Sequence, residues 1–310
     1  MATVYIDTPH NFAMVETYVI FEKTKIISEI LGARKCFFYD TCSFRKHANI
    51  TNLDGFFSYL KHHEGIIIIT QCVLMELASQ SGELNEEYIN YFKKIYLAGL
   101  KVLIMREEYV FEIMNICFSA NSEINRYLSW AVRLVKHPTS TITETLKQDI
   151  SLNNSIIKQC DLTNKFLYQQ FFSAVRGNKE SGDNLGEELI AICLHILSYL
   201  VGEPDGKFCV ITEDKGAISM INQVFEKTNS QYKGKKIIIY STPKLVQHMY
   251  NEKKITERSQ IEAMLNSRDD SNKIVILGTE LFDIKNREIS ISVEELTEKI
   301  MTPNSIHIIY

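Results

Sequence analysis

The apolar positions of the chain follow two patterns. Five short runs are continuously apolar and rich in β-branched or aromatic residues: KCFFY from Lys35, GIIIIT from Gly65, KVLIM from Lys101, KFCVIT from Lys207 and KKIIIY from Lys235. Such runs, unbroken by alternation, predict strands buried on both faces of a parallel sheet. The segments between them repeat apolar residues at the helical period. Residues 13–31 predict a helix closed by Gly32 as C-cap, and further helices are expected at 53–63, 72–80, 88–99, 184–202, 216–227 and 243–252. The last of these carries Pro243 near its first turn, where proline is favoured. Polar residues 44–52 read as a solvated loop. Residues 107–180 hold no clear strand, and their helical spacing predicts an all-helical insert that walls one side of the sheet. The chain returns from it through the polar, glycine-containing stretch RGNKESGDN. Past residue 256 come a polar helix, a strand KIVILG, an extended REISISV and a final helix and strand.

Strands alternating with helices indicate right-handed crossovers. The fold expected is therefore α/β, a mainly parallel central sheet with helices on both faces, an all-helical insert and a small α+β C-terminal extension. The division expected is an N-terminal helix packing on the core (1–34), a central α/β domain (35–250, insert about 107–180) and an extension (251–310). A chain of 310 residues buries enough surface to need no disulfide or structural metal. Its seven cysteines are odd in number, scattered and without a Cys-x-x-Cys pair, so they read as small hydrophobes of a reducing compartment. The first residues lack a signal-peptide pattern and no apolar stretch reaches a membrane span; a cytoplasmic location without membrane contact is expected. The net charge of −4 argues against a broad electrostatic nucleic-acid binder.

Ligands of parallel α/β sheets bind beyond the carboxyl ends of the strands. Two strands end there in an acid, Asp40 after CFFY and Asp214 after CVITE. Glu76 lies in the helix that begins where IIIIT stops, and Glu187 in the first turn of GEELIAICLHIL. Four carboxylates at one point raise one another's pKa unless positive charge compensates them. Hard divalent ions with oxygen ligands, Mg²⁺ or Mn²⁺, do so, and such sites cleave phosphodiesters. Thr41 and Thr212 can hydrogen-bond a carboxylate, and Asp183, Glu188 and Glu213 are further acids nearby.

Strand–Asp40–Thr41, strand–helix–Glu76, Glu187 before an IA pair in a long helix, and Thr212-Glu213-Asp214 after a strand resemble the PIN-domain nucleases over about residues 35–250. The resemblance implies a Mg²⁺- or Mn²⁺-dependent endoribonuclease with Asp40, Glu76, Glu187 and Asp214 as catalytic metal ligands, acting on RNA as a toxin, defence or RNA-processing factor. The pattern departs from the family's in three ways: Glu187 stands where Asp is usual, with Glu188 as rival; Cys42 replaces the usual Ser or Asn, with Ser43 as substitute; and the insert and the tail are additions.

Each residue also has a plain structural reading. Asp40 can start a turn, and Glu187 can stabilise its helix dipole. Arg45, Lys46 and His47 fit a solvated loop better than a phosphate contact, the run Lys233, Lys235, Lys236 fits a solvated face, and Trp130, Tyr127 and Leu128 fit a core. His62 and His63 have no third ligand within reach of the sequence pattern. The competing function is a catalytically inactive PIN-like subunit. In it the insert or extension holds a protein partner or inhibitor, or a second copy of the chain. A phosphatase is disfavoured by the absence of an Asp-x-Asp pair and of a glycine-rich phosphate loop.

Overall fold

The computed structural model describes residues 5–228, 234–266, 273–281 and 283–310; Lys233 lies outside them. Five parallel strands form the main sheet: β1 (Lys35–Tyr39), β2 (Gly65–Thr70), β3 (Val102–Met105), β4 (Phe208–Ile211) and β5 (Ile238–Tyr240), in the order β3-β2-β1-β4-β5. All of β2, β3 and β4 is buried. Their unbroken apolar runs are thus explained by helices on both faces. The chain first steps outward from β1 through β2 to β3, then crosses back to lay β4 on the other side of β1. That reversal places a crevice beyond the carboxyl ends of β1 and β4, the position where such sheets bind ligands. Tyr39 pairs with Ile211, so the two strands stop level with each other.

Residues 107–180 hold a 3-10 turn (Glu107–Tyr109), the helices Val110–Asn115, Asn121–Val135, Thr141–Gln148, Ile150–Ile156 and Leu167–Gly177 joined by loops, and no strand among the described residues. Leu185–Leu197 packs along Asn121–Val135 and is buried at nearly every position, which is why it is apolar all round. The C-terminal extension is an antiparallel sheet of β6 (Lys273–Glu280), β7 (Arg287–Ser292) and β8 (Ile306–Ile308), ordered β7-β6-β8, with helix Val293–Met301 against it. Gln247 fastens it to helix Thr242–Asn251, donating to the Ile306 carbonyl and accepting from the Ile308 amide. Among the described residues no helix is long and apolar enough to cross a membrane.

Two local expectations are corrected. The N-terminal helix spans Lys23–Gly32, not 13–31; two short 3-10 turns precede it, and Ile20 pairs with Leu103 at the edge of β3. Val15, Val19, Ile26 and Ile30 are all buried, so the helical spacing records burial here rather than one continuous helix. Gly32 ends this helix without entering the left-handed region. The polar stretch after Asp40 is the helix Thr41–Ala48 rather than a loop, because Phe44, His47 and Ala48 form one buried face.

Candidate active site

Asp40 and Asp214 stand at the ends of the two central strands, and the Asp40 amide donates to the Ile211 carbonyl. Asp40 occupies the N-cap position of helix Thr41–Ala48, yet its side chain does not cap that helix. It accepts instead from the Cys42 thiol and, at 2.9 Å, from Thr212 Oγ1. Its Oδ1 is buried without a hydrogen-bond partner. Thr212 bridges two of the acids, because its Oγ1 also accepts the Asp214 amide at 3.1 Å. Asp214 caps the following helix through the Ala217 amide, 2.8 Å from Oδ1.

Glu76 comes from helix Gln71–Leu77, which continues β2 with only Thr70 as cap. Thr41 Oγ1 donates to its Oε2, while Lys179 Nζ lies 2.8 Å from its Oε1. Gly186 leaves room for this carboxylate: a Cβ there would fall 2.7 Å from Glu76 Oε1. Glu187, the next residue, is in the first turn of helix Leu185–Leu197. Burial pushes its carboxyl up to about 8, with the charges of Asp40, Glu76 and Asp214 adding to the effect. Burial also raises Asp40, assisted by Glu76 and opposed by hydrogen bonds from Cys42, Thr212 and the Thr41 amide.

A cleft of about 640 Å³ is lined by Tyr5, Thr41, Arg45, Glu76, Lys179 and Glu187 among others; of the four predicted acids Glu76 and Glu187 line it, whereas Asp40 and Asp214 do not. Lys179 and Asp183 reach it from the segment that returns from the helical insert. The cleft shares Cys42 and Arg45 with a second groove of about 770 Å³, lined by Lys46, Asn49, Asn52, Asn266 and Lys273 and running toward β6.

The oxygens here are hard donors of the kind divalent cations take, one of them a buried orphan, and burial, ahead of the neighbouring carboxylates, raises one carboxyl to about 8. Among the described residues, no group of three or more His, Cys, Asp or Glu side chains is already arranged to hold a metal ion. Both oxygens of Glu76 are engaged, one by Thr41 and one by Lys179.

The other acids considered have separate roles. Glu213 turns away from the cleft. It pairs with Lys46 at 2.8 Å and accepts from the Thr242 amide and hydroxyl; although burial raises its carboxyl, these partners hold it below the ordinary value. Thr242 also meets His47 Nε2 at 3.0 Å, and His47 Nδ1 meets Tyr39 Oη at 2.7 Å. With the Thr242 hydroxyl committed to Glu213, the network assigns the imidazole proton to Nε2. Asp183 organises the return segment, accepting from Thr141 Oγ1 at 2.6 Å, from Lys179 and from the Glu180 and Leu185 amides. Glu188 is buried; burial and Asp183 push it up to about 8, and none of the four cleft acids is among the causes. Cys42 rather than Ser43 serves Asp40; the Ser43 hydroxyl is buried without a partner. His63 pairs with Glu252, and Trp130 packs edge-on to Tyr127.

Sequence reasoning missed Lys179, Gly186 and Tyr5. Only Gly186 left a signal, as a small residue directly before an acid at a helix start. No protein-family model matches the chain, and neither a curated protein nor a solved structure matches it.

Proposed function

We propose that the protein is a divalent-metal-dependent endoribonuclease resembling the PIN-domain nucleases, with Asp40, Glu76, Glu187 and Asp214 as the acids that hold Mg²⁺ or Mn²⁺. The observation that carries the reading is the orphaned carboxylate at the end of β1: Asp40 Oδ1 is buried with no hydrogen-bond partner, next to a cleft lined by Glu76 and Glu187. An isolated buried carboxylate oxygen is costly, and stable structural sites leave few of them. A bound divalent ion supplies a water of lowered pKa and offsets charge on the phosphodiester in the transition state.

The chain's own groups prepare that chemistry. Thr212 fixes Asp40 relative to the Asp214 backbone, and Thr41 fixes Glu76. Glu187 keeps its proton at neutral pH while the site lacks positive charge and loses it as charge enters. Arg45, held by the Glu76 carbonyl at 2.7 Å, stands where the acidic cleft joins the second groove. That groove gives a polyanionic chain somewhere to extend, a feature that a small-molecule phosphatase does not need.

One observation favours the second reading, a catalytically inactive subunit: Lys179 already neutralises Glu76, and no three acids are arranged around one point. Purified protein incubated with single-stranded RNA, with Mn²⁺ and with chelator, separates the two. Cleavage in Mn²⁺ alone, together with a Mn²⁺-dependent rise in melting temperature, supports the nuclease. No cleavage and no shift at millimolar Mn²⁺ supports the inactive subunit.

A further inference from the structure

Lys179 is the least expected group in the cleft. Its side chain is 1% exposed, although it belongs to a polar segment between two helices. Nζ lies 2.8 Å from Glu76 Oε1, is paired with Asp183, and sits 5.0 Å from the centroid of the Tyr5 ring. Burying an ammonium is costly unless charge and hydrogen bonds compensate it. Here they come from two carboxylates and an aromatic face. One of those carboxylates, Asp183, is tied to the insert through Thr141 and to the Glu180 and Leu185 amides. The other is a cleft acid with no oxygen left over, because Thr41 holds Oε2.

We infer that Lys179 is a tethered cation that positions Glu76 in the metal-free protein and competes with a divalent ion for its Oε1. The inference rests on the proposed metal-dependent reading of the four acids. The lysine relieves repulsion among them while no metal is bound, and it must leave Glu76 before that oxygen can ligate. Because the ammonium is anchored through Asp183 to the helical insert, the insert thereby sets how readily the site loads. This gives residues 178–184 a role in positioning an active-site acid, distinct from merely closing the insert.

The test compares Mn²⁺ affinity by calorimetry, and metal-free melting temperature, for the wild-type chain, Lys179→Met and Lys46→Met. Lys46 is a second lysine near the cleft, but its partner is Glu213. Removing the competitor is expected to tighten Mn²⁺ binding about tenfold in Lys179→Met, and to lower the metal-free melting temperature. Lys46→Met is expected to change the affinity less than about twofold, since exposed or indirect charge effects are small. If Lys179→Met does not fold, Lys179→Gln serves, with the same direction and a smaller gain. A wild-type protein that binds Mn²⁺ while neither Lys179 variant binds it more tightly overturns the inference and leaves the nuclease reading standing. Equal tightening in Lys46→Met also overturns it, because bulk charge then explains the effect. No Mn²⁺ binding by any of the chains overturns the nuclease reading and the inference together. Binding by Lys179→Met where wild type shows none is the strongest support for the competition.

Discussion

Two buried acids in this chain, Glu107 and Asp40, are held in different ways. Beside the insert, Glu107 is fully buried, yet its oxygens receive the Arg176 guanidinium and, at 2.8 Å, the Cys72 amide. Arg176 also holds Glu108 at 2.8 Å, so a delocalised cation with several donors serves both acids. At the ends of β1 and β2, Lys179 pairs with Glu76, Asp40 Oδ1 has no hydrogen-bond partner, and burial pushes Glu187 up to about 8. A cluster that only holds the fold together is expected to be satisfied. Both oxygens of Glu107 meet this, although Arg176 Nε beside it is buried without a hydrogen-bond partner, whereas Asp40 keeps an orphan oxygen; under the proposed function that oxygen is kept for a ligand.

The sharpest way to break this contrast is to neutralise one acid of the crevice. Asp40→Asn is expected to lower Mn²⁺-dependent RNA cleavage by about 100-fold or more, while the metal-free protein melts at the wild-type temperature or higher, because one like charge has gone. Cleavage kinetics and a thermal melt check both halves. A destabilised Asp40→Asn with proportionate loss of activity would make Asp40 a structural residue like Glu107. Arg176→Met is the mirror experiment. Leaving Glu107 buried and unpaired is expected to cost about 3–5 kcal/mol in urea unfolding, with kcat of the surviving folded fraction little changed. A stability loss under about 1 kcal/mol would show that the satisfied cluster is not holding the insert in place.

A smaller effect, with a definite sign, comes from pH. Glu187 rises from 4.5 to about 8 on folding, through burial first and then through Asp40, Glu76 and Asp214. A carboxyl raised in the folded state contributes fully below the unfolded value, and that contribution is lost as pH rises from about 4.5 to about 8. Buried His47 and His195 act in the other direction. Burial lowers each to about 4, so stability falls as pH drops from 6.5 towards 4. In metal-free protein, Glu187→Gln should remove only the first of these trends. It is expected to be more stable than wild type by up to about 4 kcal/mol at pH 8, less where solvent screens the half-buried carboxyl, and equal to it near pH 4.5. Denaturation at a series of pH values gives the answer, and a difference independent of pH would mean that Glu187 does not titrate in the cleft.

How much of this was readable beforehand depends on where each signal came from. β1 and β4 announced themselves because unbroken apolar runs ended in Asp40 and in Thr212-Glu213-Asp214, and burial on both faces leaves no other reading. The pattern could not separate Glu187 from Glu188. Adjacent helical residues point about 100° apart, and only the packed structure shows which of them senses Asp40. Glu213, a lesser candidate beside Asp214 in the sequence, has its side chain turned towards Lys46 and Thr242. Lys179 was invisible, because a lysine in a polar stretch carries no local signal and its partner Glu76 is far away in sequence. Periodicity also overreached at residues 13–22, where buried Val15 and Val19 kept helical spacing while the chain left the helix to meet the edge of β3.

Cys42 gives the smallest effect expected and tests how finely the crevice is set. Its thiol donates to Asp40 Oδ2, beside Thr212, which donates to the same oxygen at 2.9 Å. Burial raises the thiol's pKa, and the neighbouring Asp40 charge raises it further, so Cys42 stays protonated and acts as a donor rather than a ligand. Serine keeps a donor at this position with a shorter reach, and Cys42→Ser should cleave within about threefold of wild type. Cys42→Ala leaves Thr212 as the remaining side-chain donor to that oxygen. The loss expected is one hydrogen bond to a charged group, about 1.5 kcal/mol, or roughly tenfold in kcat/KM. Mn²⁺ affinity should follow the same order, because a carboxylate that is less well fixed is a poorer ligand. If Cys42→Ala instead loses as much as Asp40→Asn, the thiol takes part in the chemistry directly. If it loses nothing, Thr212 alone fixes Asp40, and the departure from Ser or Asn at this position carries no catalytic weight.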